Sequence, residues 1–317
     1  MRNNKQKEEF MKIFSVNLRA AFDAVVKDFA SLREIRLRAE APMVFRFTDG
    51  EKYLTKNHML CTDIKHAMTI HASEIKETME YISNYSMYAY EEEIKKGYVT
   101  IAGGHRIGIA GKTICENNEV KAVKYISNLC IRLAHEIIGC SDHIIDCLFE
   151  QGRFQNTIIL SPPGHGKTTL LRDMVRNISD GCPVNPKGCQ VGLVDERSEI
   201  AACYLGIPQN TVGRRTDVYD ACPKEVGITY LLRSMAPQII AVDEIASEKD
   251  LSAVEKICGC GCGILATTHA GSLQELREKK RWKELLEQGM FRRCVWIKGG
   301  QEVPQYEVYD QFGQAIF

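Results

Sequence analysis

The chain has 317 residues, 44% apolar and 26% charged, with 41 Lys and Arg against 41 Asp and Glu. That length suits about two domains, and the composition is that of an ordinary folded protein. Zero formal charge disfavours overall attraction to nucleic acid or anionic lipid and leaves only a local basic patch for it. No apolar run approaches the roughly 18–20 residues that span a bilayer, and the charged start, Met1 to Phe10, lacks a signal-peptide core. A cytoplasmic location is expected, with a membrane reached only through a partner.

Residues 1–30 read as a helical lead-in, with Phe10, Ile13, Phe14 and Leu18 near helical spacing. Residues 31–135 read as a smaller α+β domain. Residues 35–38 alternate in strand fashion, residues 43–47 form a second strand, and Asp49-Gly50 supplies a tight turn. The pattern then predicts a long helix capped by Asp63. It would carry Ile64, Ala67, Met68, His71, Ile75, Met79 and Ile82 on one face, making His71 a packed core residue. Residues 99–109, broken at Gly103-Gly104, predict a hairpin; Asn117-Asn118 marks another turn, and Leu129, Ile131 and Leu133 a last strand. Arg36, Arg38, Arg106 and Arg132 are either phosphate ligands for a neighbouring subunit or solvated strand faces and salt bridges.

From residue 136 to 317 short apolar runs at 157–160, 191–194, 239–242 and 264–267 alternate with helical stretches. That alternation predicts a mostly parallel sheet with helices on its faces. The tail reads as a closing hairpin around Gly299-Gly300, with Pro304 consigning one strand to an edge. Thirteen cysteines include no Cys-x-x-Cys pair; Cys258, Cys260 and Cys262 are the densest run. One reading is a metal or redox site. The other, favoured by the missing spacing, is small residues packed where a helix meets the next strand.

Ser161-Pro162-Pro163-Gly164-His165-Gly166-Lys167-Thr168 follows an apolar strand and opens a helix with Leu170, Leu171, Met174, Val175 and Ile178 on one face and Gly181 at its end. This is a phosphate loop in its required context, with Thr169 one step inside the helix. Gly164 and Gly166 let backbone N–H groups turn toward phosphates, and the helix N-terminus adds positive potential. Lys167 would neutralise the phosphates and Thr168 would ligate Mg²⁺. Ser161 stands where a first glycine is usual, but it is small, and His165 fills a variable position with its side chain outward.

Residues 239–242 are an apolar strand ending in Asp243-Glu244. Asp243 is assigned to Mg²⁺ through a water and Glu244 to activating the attacking water. Ser247 with Asp250 already caps the following helix, which leaves these acids free. Asp195-Glu196-Arg197, with Glu199, ends another strand; it is either a second acidic cluster around Mg²⁺ and water or a salt-bridged turn. Thr268 or His269, ending residues 264–269, would contact the γ-phosphate or the lytic water, before a capping box at Ser272 and Glu275. Arg214 or Arg215 would stabilise transition-state charge, in its own subunit or across an interface. Arg233 is a weaker candidate, on a helix between Pro223 and Pro237.

SPPGHGKTTLLRD, VDERSEIA, VGRRTDV, LLRSMAPQIIAVDEI and LATTHAGS, in that order, resemble the stage III sporulation protein AA family, as do REIRLRAEAP and GGHRIGIAG. The C-terminal half is more distantly similar to the motor ATPases of type II and type IV secretion and of type IV pili. The resemblance implies a RecA-like P-loop ATPase domain preceded by a smaller α+β domain, with ATP and Mg²⁺ as ligands. It favours function for Asp195, Glu196 and Glu199 as an acidic box and for His269 as a γ-phosphate sensor. Asp243 stands where secretion motors often have Gly. It also implies a hexameric ring whose N-terminal domains face the next subunit's nucleotide, and membrane-embedded partners in a channel between mother cell and forespore. Two other readings stay open: an ATPase on nucleic acid, against which the neutral charge and the lack of an aromatic–basic patch count, and a nucleotide-switched scaffold, against which Glu244 counts.

Overall fold

A computed structural model describes residues 10–22, 29–298 and 304–317. It divides into two compact units, residues 1–135 and 136–317.

The first unit is built on an antiparallel sheet. Its strands are β1 (Leu32–Arg38), β2 (Val44–Phe47), β3 (Gly50–Leu54), β4 (Leu60–Cys61), β5 (Tyr98–Thr100), β6 (Arg106–Glu116) and β7 (Glu119–Arg132), in the order β4-β3-β2-β1-β7-β6-β5. Helices α1 (Val16–Phe22), α2 (Ala72–Ile82) and α3 (Glu91–Lys95) belong to this unit. Ile35, Leu37, Phe45, Ile107, Leu129 and Ile131 are buried, as are Phe10, Phe14 and Leu18 of the lead-in. Asn117 and Asn118 both adopt left-handed backbone, φ 52° and 62°, which lets two residues reverse the chain between β6 and β7.

The long helix expected from Asp63 does not form. Asp63 accepts from the Lys65 N–H and caps only the 3₁₀ turn Ile64–His66. Thr69–Ile70 then pairs antiparallel with Ala41–Pro42, and the Met68 N–H bonds the Leu54 carbonyl. Strand pairing with residues distant in sequence overrides the apolar period. Helix α2 therefore starts at Ala72. His71 is its N-cap, with its N–H on Glu74 Oε2 at 2.8 Å and its side chain 68% exposed beside Glu40, not core.

Of the arginines in this unit, Arg36 and Arg132 flank the buried carboxylate of Glu34, and Arg106 lies 3.6 Å from the Tyr98 ring centroid. The buried carboxylate is pulled up by desolvation but more strongly down by Arg36 and its neighbours, so it stays ionised more readily than usual.

The second unit is a seven-stranded sheet with strands β8 (Thr157–Ser161), β9 (Val191–Asp195), β10 (Thr216–Asp220), β11 (Ile239–Val242), β12 (Gly263–His269), β13 (Arg293–Lys298) and β14 (Gln305–Asp310). Their order is β10-β9-β11-β12-β8-β13-β14, and only β13–β14 is antiparallel. The helices are α4 (Lys167–Asp180), α5 (Lys224–Tyr230), α6 (Glu248–Gly259), α7 (Leu273–Glu278) and α8 (Lys280–Glu287). A π turn, Leu231–Met235, follows α5 and carries Arg233. Pro304 is exposed beside the edge strand β14, while Gly299-Gly300 lies outside the described residues.

Strand residues alternate between two cores. Ile159, Leu193, Ala241 and Leu265 pack with Leu170, Leu171, Met174 and Ile178 of α4 on one face. Ile158, Leu160, Val194, Ile240, Val242 and Ala266 pack with Leu251, Val254 and Ile257 of α6 on the other. Both faces are covered, so these strands read as continuous apolar runs and all their C-terminal ends meet at one edge. Truncating a fully buried member such as Leu171 costs about 2–5 kcal/mol. Cys258, Cys260 and Cys262 lie at the α6–β12 turn, where the Cys262 thiol donates to the Pro237 carbonyl and Cys258 accepts from Asn156.

Candidate nucleotide site

Ser161 ends β8 in extended backbone, so this position does not need a glycine. Gly164 and Gly166 do need one: their φ values are 80° and 88°, and a Cβ at either would meet open space but strained backbone. Gly166 is the N-cap of α4, which leaves the first N–H groups of that helix directed into the loop. Pro162, Pro163 and His165 complete the loop, with His165 Nδ1 at 2.9 Å from the Pro163 carbonyl. Thr169 is the third residue of α4 and is partly exposed.

Strand β12 lies between β8 and β11 and sets the rest. Ser161 pairs with His269, and Val242 with Ala266, so phosphate loop, histidine and both acids share the sheet edge. The ammonium of Lys167 spends its three protons on the Ser161 carbonyl (2.9 Å), the Pro162 carbonyl (3.0 Å) and His269 Nδ1 (2.9 Å). Nδ1 then accepts, which assigns the ring proton to Nε2, and Nε2 donates to Glu244 Oε1 at 2.8 Å. The other oxygen of Glu244 takes Arg197 at 2.8 Å. Burial pulls the Lys167 pKa down, opposed by Asp243 and Glu244.

Thr168 Oγ1 donates to Asp243 Oδ2 at 2.7 Å. Oδ1 of the same carboxylate is bound by Thr267 Oγ1, a residue the sequence pattern did not single out. Thr268 is buried, and its hydroxyl goes to the Ile245 carbonyl; the strand end thus offers His269 alone to a ligand. Glu244 has φ 59°, left-handed backbone that a non-glycine residue adopts at a cost.

The acidic turn after β9 splits into structural and solvent-facing parts. Asp195 is buried and accepts the N–H groups of Glu199, Ile200 and Ala201 at 2.8–3.0 Å. Burial nevertheless pushes its pKa up to about 6, against those three donors. Glu196 pairs with Lys224 at 2.7 Å. A cavity of about 10 Å³, the size of one water, lies among Asp195, Glu196, Arg197, Glu199, Lys224, Asp243 and Glu244. Arg214 and Arg215 are elsewhere. They bond Asp180 and Ser179 at the far end of α4, about 20 Å from its first turn at 1.5 Å per residue. Neither reaches the phosphate loop of its own chain. Ser247 and Asp250 form the expected capping box on α6. Ser272 accepts from the Glu275 N–H, but the Glu275 carboxylate turns back to the N–H of Gly271.

Among the described residues, no group of three or more His, Cys, Asp or Glu could hold a metal by itself. The donor set around Thr168 and Asp243 is oxygen-only, which fits Mg²⁺, an ion that completes its shell with water and substrate phosphate.

One strand lodged between the phosphate loop and the acids is the RecA-like order, and with the loop itself it places this unit in the P-loop ATPase class of fold. Solved structures show the same fold at low identity. The ATPase DotB of Legionella pneumophila superposes with a TM-score of 0.60 at 15% identity, over 93% of this chain and 81% of that one. The pilus retraction motor PilT with bound ADP gives 0.56 at 15% identity, over 93% and 82%. A family model described as sporulation stage III, protein AA matches residues 4–316, and the chain belongs to that family. Stage III sporulation protein AA of Bacillus subtilis (strain 168) is 43% identical over 238 residues, 74% of this chain and 76% of that protein. The uncharacterised protein ycf45 of Porphyra purpurea is 30% identical over 164 residues, 51% of this chain but 27% of that longer protein. Among the described residues no helix is long and apolar enough to cross a membrane.

Proposed function

We propose that this chain is an ATP-hydrolysing motor, working as a hexameric ring in the mother-cell cytoplasm on membrane-embedded proteins of a sporulation channel. One observation carries the hydrolytic part: the chain of contacts Lys167–His269–Glu244, beside Thr168–Asp243, links phosphate-binding groups to a carboxylate at the edge of one sheet. Loop amides and Lys167 bind the β- and γ-phosphates of ATP. Thr168 and Asp243 hold Mg²⁺, which when bound neutralises phosphate charge. Glu244 takes the proton of the attacking water, and His269 reports the γ-phosphate, since a ligand drawing Lys167 away breaks its contact with Nδ1. Glu196 lines the water-sized cavity beside them. Arg214 and Arg215 contact nucleotide only across a subunit interface.

The membership in a sporulation family and the likeness in fold to the ATPase DotB and the pilus retraction motor PilT support the motor, and the sequence's resemblance to ring-forming motor ATPases supports the ring. Phosphate release and light scattering of the full chain, with and without ATP, test them. Phosphate release that Glu244→Gln does not slow would remove the base; a monomer with and without ATP would remove the ring. A nucleotide-switched scaffold is the second reading. It is favoured by the contacts on both Glu244 oxygens, from His269 and Arg197, with which an attacking water would have to share the carboxylate. Tight ATP binding with negligible phosphate release would establish that reading.

A further inference from the structure

Beside the His269–Glu244 contact, Thr267 and Thr268 of β12 are fastened to the acid-bearing turn by four hydrogen bonds. Thr267 Oγ1 donates to Asp243 Oδ1 and accepts the Glu244 N–H at 2.8 Å. The Thr267 carbonyl accepts the Ile245 N–H at 2.8 Å, and Thr268 Oγ1 donates to the Ile245 carbonyl at 2.8 Å. Thr267 is fully buried, so water does not compete for its hydroxyl.

A hydroxyl has one proton and two lone pairs. Here the proton fixes the rotamer of Asp243, leaving Oδ2 for Thr168. A lone pair pins the amide of Glu244, the residue held at φ 59°. Two consecutive residues with different chemical tasks are thus set by one oxygen atom. Packing does not require that oxygen: valine has the same shape, favours strands at least as well, and would suit the apolar run Ile264, Leu265, Ala266 that precedes it.

We propose that Thr267 is a positioning residue whose single hydroxyl holds the metal-side carboxylate of Asp243 and the backbone of Glu244 in register with each other. The proposal rests on the ATPase reading above. It makes β12 more than a spacer: its buried hydroxyl keeps two acids of the neighbouring strand aimed at one phosphate group.

The test compares the full-length parent with Thr267→Val and Thr267→Ser. Three quantities are read: kcat and KM for ATP, the Mg²⁺ concentration at half-maximal rate, and ADP affinity by calorimetry with and without Mg²⁺. The valine variant is expected to lose about 10–100-fold in kcat and to need correspondingly more Mg²⁺, as loss of a ligand's hydrogen-bond partner does elsewhere. KM and Mg²⁺-free ADP affinity should stay near parental, because the loop amides and Lys167 are untouched. Serine should restore both kcat and Mg²⁺ demand. Parental behaviour of the valine variant overturns the proposal. So does a serine variant as impaired as valine, or an Mg²⁺-free ADP affinity that falls in step with kcat, which is general loosening. If the valine variant does not fold, Thr267→Cys replaces it; its poorer donor should give an intermediate loss, and a parental rate overturns the proposal. If the parent binds ADP but releases no phosphate, the ATPase reading fails, while the Mg²⁺ dependence of ADP binding still decides the role of Thr267.

Discussion

The first turn and the middle of α4 carry polar networks of opposite character. At its start, Lys167 and Thr168 join His269, Glu244 and Asp243, and the His269 and Glu244 side chains remain 39% and 28% exposed. One turn further, Asp173 has its side chain 2% exposed and accepts from the N–H groups of Gly139 and Ser141, the Ser141 hydroxyl and Arg176. Arg172 donates to the carbonyls of Glu199 and Ile200, both at 2.6 Å. The second network is closed: it clasps the segment around residue 140 and the acidic turn onto the helix. The first is open to solvent, contains strained backbone, and is made of charges that a phosphate can draw away. A buried, fully matched network stabilises; an exposed one with exchangeable partners is where a ligand competes.

Substitutions in the two networks should separate cleanly. Lys167→Ala should abolish nucleotide binding by calorimetry while leaving the melting temperature near parental. Glu244→Gln should bind ATP yet release phosphate at least about 100-fold more slowly, the size of a general-base effect; a parental rate in phosphate-release assays removes the base assignment. Asp173→Asn should do the reverse. It breaks a buried ion pair at a cost of about 3 kcal/mol, which lowers Tm by about 6–12 °C in a unit of this size, with ADP affinity intact below the transition.

Acidification sharpens the contrast. The Asp173 pKa is raised by burial but lowered more by Arg176 and the N–H groups of Gly139 and Ser141. Its stabilisation is present above the unfolded value near 4 and is lost as pH falls. Asp195 runs the other way: burial lifts its folded pKa to about 6. Its contribution is full below about 4 and disappears as pH rises through 6, an effect of about 1–3 kcal/mol. Asp195→Asn should flatten the pH dependence of unfolding between about 4 and 6, read by urea titration at several pH values. The smallest effect belongs to Arg197→Ala. Its exposed pair with Glu244 is worth about 0.2–1 kcal/mol, so freeing that oxygen should raise turnover by at most about fivefold. A large fall would instead place Arg197 on the phosphates.

Much of this was legible in the sequence because it is local. A loop of Gly164, Gly166 and Lys167 between an apolar strand and an amphipathic helix has one structural reading, and Asp243-Glu244 after residues 239–242 announces a strand end. What was hidden depends on register between strands distant in the chain. Nothing near Thr267 reveals that it lies beside Asp243, 24 residues away, or that Lys167 meets His269. The false helix after Asp63 has the same origin: Thr69–Ile70 pairs with Ala41–Pro42, a partner that periodicity does not see. For Arg214 and Arg215 the Gly-led pattern left open their own subunit or an interface; Gly213, at φ 92°, packs against Ser179 at the far end of α4, which takes both away from the phosphate loop of their own chain.

The left-handed backbone at Glu244 has a consequence for how this position drifts. Glycine would relieve about 1–2 kcal/mol of conformational cost there while erasing the carboxylate. A chain released from the demand to split ATP would therefore slide toward glycine or asparagine at 244 and become sturdier as it lost turnover. If Glu244 is the base proposed above, its carboxylate is kept at the expense of that conformational relief, so Glu244→Gly should unfold at higher urea than the parent while losing phosphate release.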